Sequence, residues 1–137
     1  MKTTQYLSLA EIIAIYESVM RRLGDELKPL RDEGLLESAV MRPQMAAYYE
    51  GADIVRQAAL LGVGISQAQA FLDGNKRTAY LALNTFLRMN GLTFSSDRLA
   101  LARQFEQIAE RSREPDAVID VFGAWLRQYV QARPEPR

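Results

Sequence analysis

QAFLDGNKRTAYLALNTFLRMNG runs from Gln69 to Gly91, and its second half has almost no polar face. Between Ala79 and Met89 the apolar run is interrupted at only three positions, Asn84, Thr85 and Arg88. A helix that is hydrophobic on nearly every side belongs in the interior of a packed domain. Gly91 suits the left-handed position that ends a helix. We therefore predict a buried central helix over about Asn75–Met89, the most deeply buried helix of the chain.

The start of this helix has the opposite character. Asp73-Gly74 is typical of a tight turn, and Asn75 is a favourable N-cap residue. Lys76 and Arg77 place two cations in the first turn, where the helix dipole disfavours positive charge and free N–H groups gather. An anion, most commonly phosphate, would relieve both problems, and Asp73 could hold a divalent metal that bridges phosphate oxygens. The competing interpretation is a plain capped turn with both cations in solvent. Two cations at the positive end of the dipole of a buried helix favour the anion site instead.

Local signals divide the preceding part of the chain into helices. Ser8 to Glu11 has the capping-box pattern, and Gly24 ends the helix that it opens. A second helix starts near Asp32 and is expected to stop before Pro43, because proline cannot continue the hydrogen-bond ladder. Residues 44–50 are then predicted to form a separate short helix.

The remaining segments follow the same logic. Asp53 can cap a helix that runs to about Gln67, in which Gly62 and Gly64 would let another helix approach closely. Leu92–Phe94 is predicted to be a short extended link. Two more helices follow, and Pro115 is placed to open the last of them.

These elements predict an all-α fold, a single compact bundle of six or seven helices in one domain over residues 1–137. Residues 1–5 and 133–137 are expected to be frayed. No β-alternation longer than a few residues and no internal repeat is present. Helical spacing assigns several large side chains to the core, namely Leu35, Tyr48, Tyr49, Leu99, Phe105, Val121 and Trp125.

Composition restricts the classes of partner. The chain has 137 residues, with 17 Lys plus Arg and 17 Asp plus Glu, so no global field favours direct binding to nucleic acid or to an anionic membrane. No apolar run approaches a membrane span, and no signal-peptide core follows the N-terminus. The absence of Cys fits a reducing compartment. A cytoplasmic location is therefore expected.

The motif residues resemble the signature of the Fic/Doc family, in its Doc (death-on-curing) branch, which runs His-x-Phe-x-Asp-(Gly/Ala)-Asn-Lys-Arg. Six positions match in order, namely Phe71, Asp73, Gly74, Asn75, Lys76 and Arg77. Similarity to Doc-type sequences also extends to Tyr6–Leu9, Leu30–Ala39 and Arg42–Gln44, and covers about Tyr6 to Tyr129. The family's histidine position is Gln69, and the chain has no histidine at all.

The resemblance implies the same helical architecture and nucleotide chemistry. Doc-type proteins transfer the terminal phosphate of ATP to a protein hydroxyl, with elongation factor Tu as the known kind of target, whereas Fic proteins usually transfer AMP. By position, Asp73 would hold Mg²⁺, Gly74 and Asn75 would cradle phosphate oxygens, and Lys76 and Arg77 would neutralise their charge. Phe71 would position the motif.

Three further residues enter through the resemblance. Lys76 stands where AMP-transferring members typically carry Gly, and Tyr80 replaces the second Arg of their motif, which together favour phosphate transfer. Arg31 is a weak candidate for the mouth of the site, because family members carry similar residues there. The family's antitoxin is a separate chain, and it is expected to bind in trans through a short amphipathic helix.

Gln69 leaves the activity open. The family's histidine accepts a proton from the target hydroxyl, whereas an amide has no useful basicity. Gln69 could be a natural degeneration, a deliberate substitution that makes a toxic enzyme expressible, or a working variant that orients the hydroxyl. The chain is therefore interpreted as a Doc-like enzyme, weakened or inactive. The alternatives are a non-catalytic descendant that binds nucleotide or antitoxin, an AMP transferase, and an unrelated helical adaptor.

Overall fold

Six helices and one short two-stranded sheet make up the part of the chain that the computed structural model describes, residues 3–110 and 115–134. The helices are α1 (Leu9–Leu23), α2 (Glu33–Glu50), α3 (Ile54–Ala68), α4 (Asn75–Met89), α5 (Arg98–Glu110) and α6 (Pro115–Arg127). The strands are β1 (Leu92–Phe94) and β2 (Val130–Ala132), which pair antiparallel with Phe94 opposite Val130. The prediction of an all-α helical bundle is confirmed, and α4 has the bounds that the sequence predicted.

The helix starts of α1, α2 and α3 are closed by side chains, as predicted for Ser8 and Asp53, and the cap at Asp32 is an additional finding. Ser8 Oγ accepts the N–H of Glu11, and the Glu11 carboxylate accepts the N–H of Ser8, which completes the capping box and lowers the pKa of Glu11. Asp32 and Asp53 each accept a backbone N–H from the first turn that follows them. These caps satisfy donors that a helix start otherwise leaves free.

The predicted break at Pro43 is wrong, because α2 continues unbroken through it from Glu33 to Glu50. One face of α2, which we call the inner stripe, is buried at every third or fourth residue and packs on α3. The inner stripe consists of Leu36, Ala39, Pro43 and Ala46. Proline costs a helix one hydrogen bond, and burial of this stripe offsets that cost. Leu35, expected in the core, lies off the stripe and is half exposed.

The deepest helix is α3 and not α4, which differs from the prediction. Eleven of the fifteen residues of α3 are buried, against six of the fifteen in α4. Helices α2, α4 and α6 all pack on α3, whereas one end of α4 is polar and faces a cavity. The bundle is therefore organised around the α3–α4 pair.

Two glycines of α3 permit this packing, as the sequence predicted. A Cβ on Gly62 would lie 2.8 Å from Leu83 Cδ1 of α4, and a Cβ on Gly64 would lie 3.1 Å from Ala39 Cβ of α2. Both distances are shorter than ordinary carbon–carbon contact. The two glycines thus set how closely α4 and α2 approach α3.

Several predicted core side chains are instead exposed. Tyr48 and Tyr49 are 82% and 75% exposed, and Leu99 and Val121 are also largely accessible. A helical spacing of apolar residues can describe an outer face as well as an inner one, and only the neighbouring helices decide between them. Phe105 is buried as predicted.

The extended link and the expected frayed ends also take part in the structure. Leu92–Phe94 forms a strand with β2, and the backbone N–H of Arg133 donates to Gly91 O at 2.8 Å. Gln5 exchanges backbone hydrogen bonds with the side chain of Asn90. Residues 1–2 and 135–137 lie outside the described residues. No helix in the described part of the chain is long and apolar enough to cross a membrane.

Candidate functional site

The loop between α3 and α4 is anchored by contacts with α1 and with the start of α4. Phe71 is buried, and its ring lies parallel to that of Tyr16 on α1, with centroids 3.9 Å apart and planes 4° apart. The Asn75 side chain forms two hydrogen bonds with the backbone of Phe71. Its Oδ1 accepts the Phe71 N–H at 3.1 Å and its Nδ2 donates to Phe71 O at 2.8 Å. The position of the motif loop is therefore set by a stacked ring and a two-point amide contact.

The prediction that Asn75 caps α4 is wrong. Gly74 is the N-cap residue, with φ 78° and ψ 11°, and Asn75 is the first helical residue. The amide of Asn75 hydrogen-bonds to the Phe71 backbone and does not cap the first turn of its own helix. Glycine is required at position 74, because its φ is left-handed and a Cβ would lie 3.3 Å from Met20 Sδ.

As a result, α4 begins without a side-chain cap, unlike α1, α2 and α3. The Asp73 carboxylate accepts the N–H of Gly74 at 2.8 Å, one residue before the helix. The first intrahelical bond of α4 runs from Thr78 N to Gly74 O, so the N–H groups of residues 75–77 precede the ladder. The positive end of the helix dipole is thus available to an external anion.

A cavity of about 360 Å³ opens at this end of α4. Its lining brings together the predicted residues Gln69, Asp73, Gly74, Asn75, Lys76 and Arg77. A volume near the lower end of the range for ligand pockets suits one small ligand. The two cations therefore share one cavity wall with the open helix start.

Two apolar residues of the lining, Leu23 and Leu72, were not predicted. Leu23 is the last residue of α1, and no local pattern indicates that this helix end lies beside the motif. Leu72 occupies a position of the motif at which the signature specifies no residue type. Only the packing of α1 on the loop identifies them.

The Lys76 ammonium has a carboxylate neighbour on another helix. Its Nζ lies 3.6 Å from Glu106 Oε1 of α5, and both side chains are more than half exposed. An ion pair this exposed contributes about 0–1 kcal/mol to folding, because water and salt screen it. Lys76 can therefore exchange this partner for a more highly charged anion at little cost.

Gln69 occupies an unusual backbone position at the end of α3. Its φ of 51° and ψ of 34° are left-handed, and it is the one non-glycine residue with positive φ among those described. Its Nε2 donates to Ser66 O at 3.1 Å, back toward α3. Histidine is among the residues enriched in this conformation, so the backbone at position 69 can accept the family's residue.

One carboxylate faces the cavity, that of Asp73. The described residues contain no cluster of three or more Asp, Glu, His or Cys that could form an all-protein metal site. Mg²⁺ is commonly held by one or two carboxylates together with substrate phosphates and water. A single Asp on the wall of a cavity that can accommodate a phosphate group fits that mode of binding.

Arg31 stands apart from the cavity lining. Its backbone N–H donates to Ala70 O at 2.6 Å, so it ties the start of α2 to the motif loop. Its side chain is exposed and is not part of the cavity wall. The structure thus gives Arg31 a backbone contact with the loop.

Comparison with known proteins identifies the family of the chain. Residues 6–87, which include the whole motif, match the Fic/DOC family. Over 98 residues the chain is 39% identical to a protein named Toxin Doc from Mycolicibacterium smegmatis, covering 69% of this chain and 71% of that protein. It is 35% identical over 98 residues to the Protein kinase doc of Escherichia phage P1, covering 70% and 77%. The chain therefore belongs to the Fic/DOC family, in its Doc branch.

Proposed function

We propose that this chain is a Doc-type toxin of a toxin–antitoxin pair whose chemistry is transfer of the terminal phosphate of ATP to a protein hydroxyl. The observation that carries the proposal is the cavity at the open start of α4, where Lys76 and Arg77 share the wall with Asp73. The relatives' names, one a toxin and the other a protein kinase, support the same activity. The proposed target is a translation factor such as elongation factor Tu.

Each motif residue has a distinct proposed role. Lys76 and Arg77 neutralise charge on the transferred phosphoryl group, and the N–H groups at the start of α4 donate to its oxygens. Gly74 and Asn75 form the floor of this cradle, and Phe71 holds the loop in place. Asp73 would hold Mg²⁺, which would supply positive charge that offsets the negative charge of the phosphates.

The proposed activity is weak in this chain, because Gln69 replaces the general base. Loss of such a base typically lowers the rate by about 10² to 10⁴. Phosphoryl transfer through a loose transition state depends largely on positioning, so an amide that orients the target hydroxyl can support some turnover. A working variant predicts measurable turnover in this chain, whereas natural degeneration and deliberate substitution both predict the low rate of an enzyme without its base.

The deciding experiment supplies ATP labelled at the α or the γ phosphate to this chain and to its Gln69→His form, with elongation factor Tu as acceptor. We expect γ label on the target with the His form, and a weaker γ signal with the chain itself. Label from the α position would identify an AMP transferase and overturn the proposal. If neither form transfers label although both bind ATP, the result would favour the second candidate function, which is described next.

That second candidate is a non-catalytic descendant that binds nucleotide or antitoxin, and Gln69 is the observation that favours it. Its side chain donates to Ser66 O within α3, so it is engaged with its own helix. Under either function we propose that the antitoxin acts in trans through a short helical segment. A cytoplasmic location and the absence of direct nucleic-acid contact belong to the same proposal.

A further inference from the structure

Helix α2 has a second stripe, largely apolar and broken by Ser38, on the side that faces away from α3. Residues spaced by four, three, four and three positions form this outer stripe, namely Gly34, Ser38, Met41, Met45 and Tyr48. Tyr49 lies directly beside it, and Leu35 lies on the flank of the helix between the outer and the inner stripe. Met41, Met45 and Leu35 are about half exposed at 46%, 52% and 51%, and the two tyrosines are exposed far more. This spacing is that of a coiled-coil seam.

The outer stripe has no cover in the described structure. The inner stripe packs on α3, and the outer stripe lies on the opposite side of the same helix. None of its residues lines the cavity of the motif. It is therefore a surface separate from the proposed phosphate chemistry, and an inference about it stands whether or not that chemistry is correct.

The outer stripe is tapered along its length. Gly34 and Ser38 are small and lie at its N-terminal end, where a Cβ on Gly34 would meet nothing closer than Asp32 Oδ1 at 3.4 Å. Tyr48 and Tyr49 are bulky and lie at its C-terminal end, as an edge-to-face pair with centroids 4.8 Å apart. An antiparallel copy of the same helix would place the large end of each over the small end of the other.

We propose that the outer stripe of α2 is the contact surface of a twofold-symmetric dimer with a second copy of this chain. A twofold interface must be self-complementary, and the taper satisfies that requirement with Met41 and Met45 near the axis. Methionine adapts to irregular gaps, and tyrosine is enriched at protein interfaces. The formal net charge of the chain is zero, so no overall repulsion opposes the association.

The available area predicts a weak dimer. The exposed parts of the five large side chains amount to roughly 450 Å² per copy, taking about 200 Å² for Tyr and about 100 Å² for Leu or Met. With flanking side-chain stems, two copies would bury about 1,000 Å², the lower limit for a specific interface. We therefore expect dissociation constants of about 1–100 μM.

The first test is sedimentation equilibrium of the full chain across that concentration range. Dimer is expected to form, and Tyr48→Ser with Tyr49→Ser is expected to weaken it at least about tenfold. Leu99→Ser and Val121→Ser are matched controls, because they remove exposed apolar side chains elsewhere. Thermal melting checks that all variants fold, which the exposure of these positions favours.

The second test uses the absence of cysteine from the chain. Met41→Cys, near the proposed axis, is expected to give a disulfide-linked dimer under mild oxidation, and Leu99→Cys is not. A chain that stays monomeric to about 200 μM overturns the proposal, even if another protein is found to cover the stripe. A dimer that forms equally well in the tyrosine variant, or cross-linking that is equal at both cysteines, overturns it as well.

Discussion

The two ends of α4 are built in opposite ways. At its C-terminal end the Asn90 side chain donates to Phe86 O and Gln5 O and accepts the Gln5 N–H. The Arg133 side chain donates to Arg88 O at the same end. At the N-terminal end no side chain caps the helix, and two cations lie beside the free N–H groups.

The difference shows which end serves stability and which serves binding. The last turn of α4 is saturated with internal hydrogen bonds, and Arg88 there suits the negative end of the dipole. The first turn accepts an electrostatic cost that an internal cap or an acidic residue would remove. Proteins tend to keep such local conflicts where a ligand resolves them. Changes at the two ends should therefore separate stability from ligand binding.

The largest expected effect comes from Gln69→His. Restoring a general base at the rim of the N-terminal cavity should raise γ-phosphate transfer by about 10² to 10⁴. Gln67→His is the matched control, because Gln67 is an exposed glutamine of α3 that does not line the cavity. Initial rates with labelled ATP measure the effect. Equal rates for the two variants, with ATP bound, would show that the missing base does not limit the reaction.

The next effect concerns Lys76→Ala and Arg77→Ala. Each should weaken ATP binding by about 10- to 100-fold, the value of a hydrogen bond to a charged group. Each should also leave the free energy of unfolding unchanged or raise it by a few tenths of a kcal/mol, because a cation leaves the positive end of the dipole. Titration calorimetry and urea denaturation measure the two quantities.

Arg88→Ala provides the control at the other end of α4. It should leave ATP affinity unchanged and lower stability by a few tenths of a kcal/mol, the reverse of the pattern at Lys76 and Arg77. If all three variants weaken ATP binding alike, the charge effect is not local to the cavity and the contrast between the ends fails.

The effect of Asn90→Ala is expected to be smaller than that of Lys76→Ala or Arg77→Ala on ATP binding, and it concerns stability. This change removes three hydrogen bonds that join the end of α4 to its own last turn and to residue 5. Because two of them are exposed, the free energy of unfolding should fall by about 1–2 kcal/mol. ATP affinity should stay within error of the parent chain. A loss of affinity with no loss of stability would contradict the assignment of this end to structure.

The smallest effect is a pH dependence at a capped helix start, which contrasts with the open start of α4. Partial burial raises the pKa of Asp53, but the N–H of Arg56 and the guanidinium of Arg127 outweigh it, so the net pKa is lowered. A lowered folded pKa means stability that is present above the usual aspartate value of about 3.9 and is lost as pH falls through the folded value.

Asp53→Asn keeps a capping side chain and removes the charge. It should be slightly less stable than the parent at pH 7, and the difference should be smaller at pH 2, because the carboxylate loses its charge as pH falls through the lowered pKa. The effect is small, because the Asp53–Arg127 pair is half exposed and screened by solvent. Urea midpoints at both pH values measure it, and an equal deficit at both would exclude the carboxylate charge as the cause.

Local chemistry made much of the fold predictable. The capping box at Ser8, the cap at Asp53 and the left-handed Gly91 involve residues within a few positions of one another, so their signals lie in the sequence itself. The body of α4 followed from its nearly continuous apolar run, and its start followed from the turn signal at Asp73-Gly74. The close approaches at Gly62 and Gly64 were also predictable. Glycine destabilises a helix interior, so two glycines within α3 indicate that another helix packs where their side chains are missing.

The failures occur where distant residues compete with a local preference. Pro43 remains helical because burial against α3 outweighs a lost hydrogen bond. Asn75 leaves its expected capping role because the Phe71 backbone offers it two partners. Tyr48 and Tyr49 have the spacing of a core face but point to solvent, because α3 covers the other side of α2.

The sequence by itself determined that the chain is a helical bundle and that two cations lie at the positive end of the dipole of α4. It also determined that these cations belong to a Doc motif that lacks its histidine. Only the tertiary structure decided that α3 is the deepest helix, that Leu23 joins the cavity wall, and that an apolar stripe of α2 lies uncovered. The physical reason is the distance along the chain over which each effect acts. Caps, turns and dipole effects act within one or two turns of chain, whereas burial depends on which surfaces the whole fold brings together.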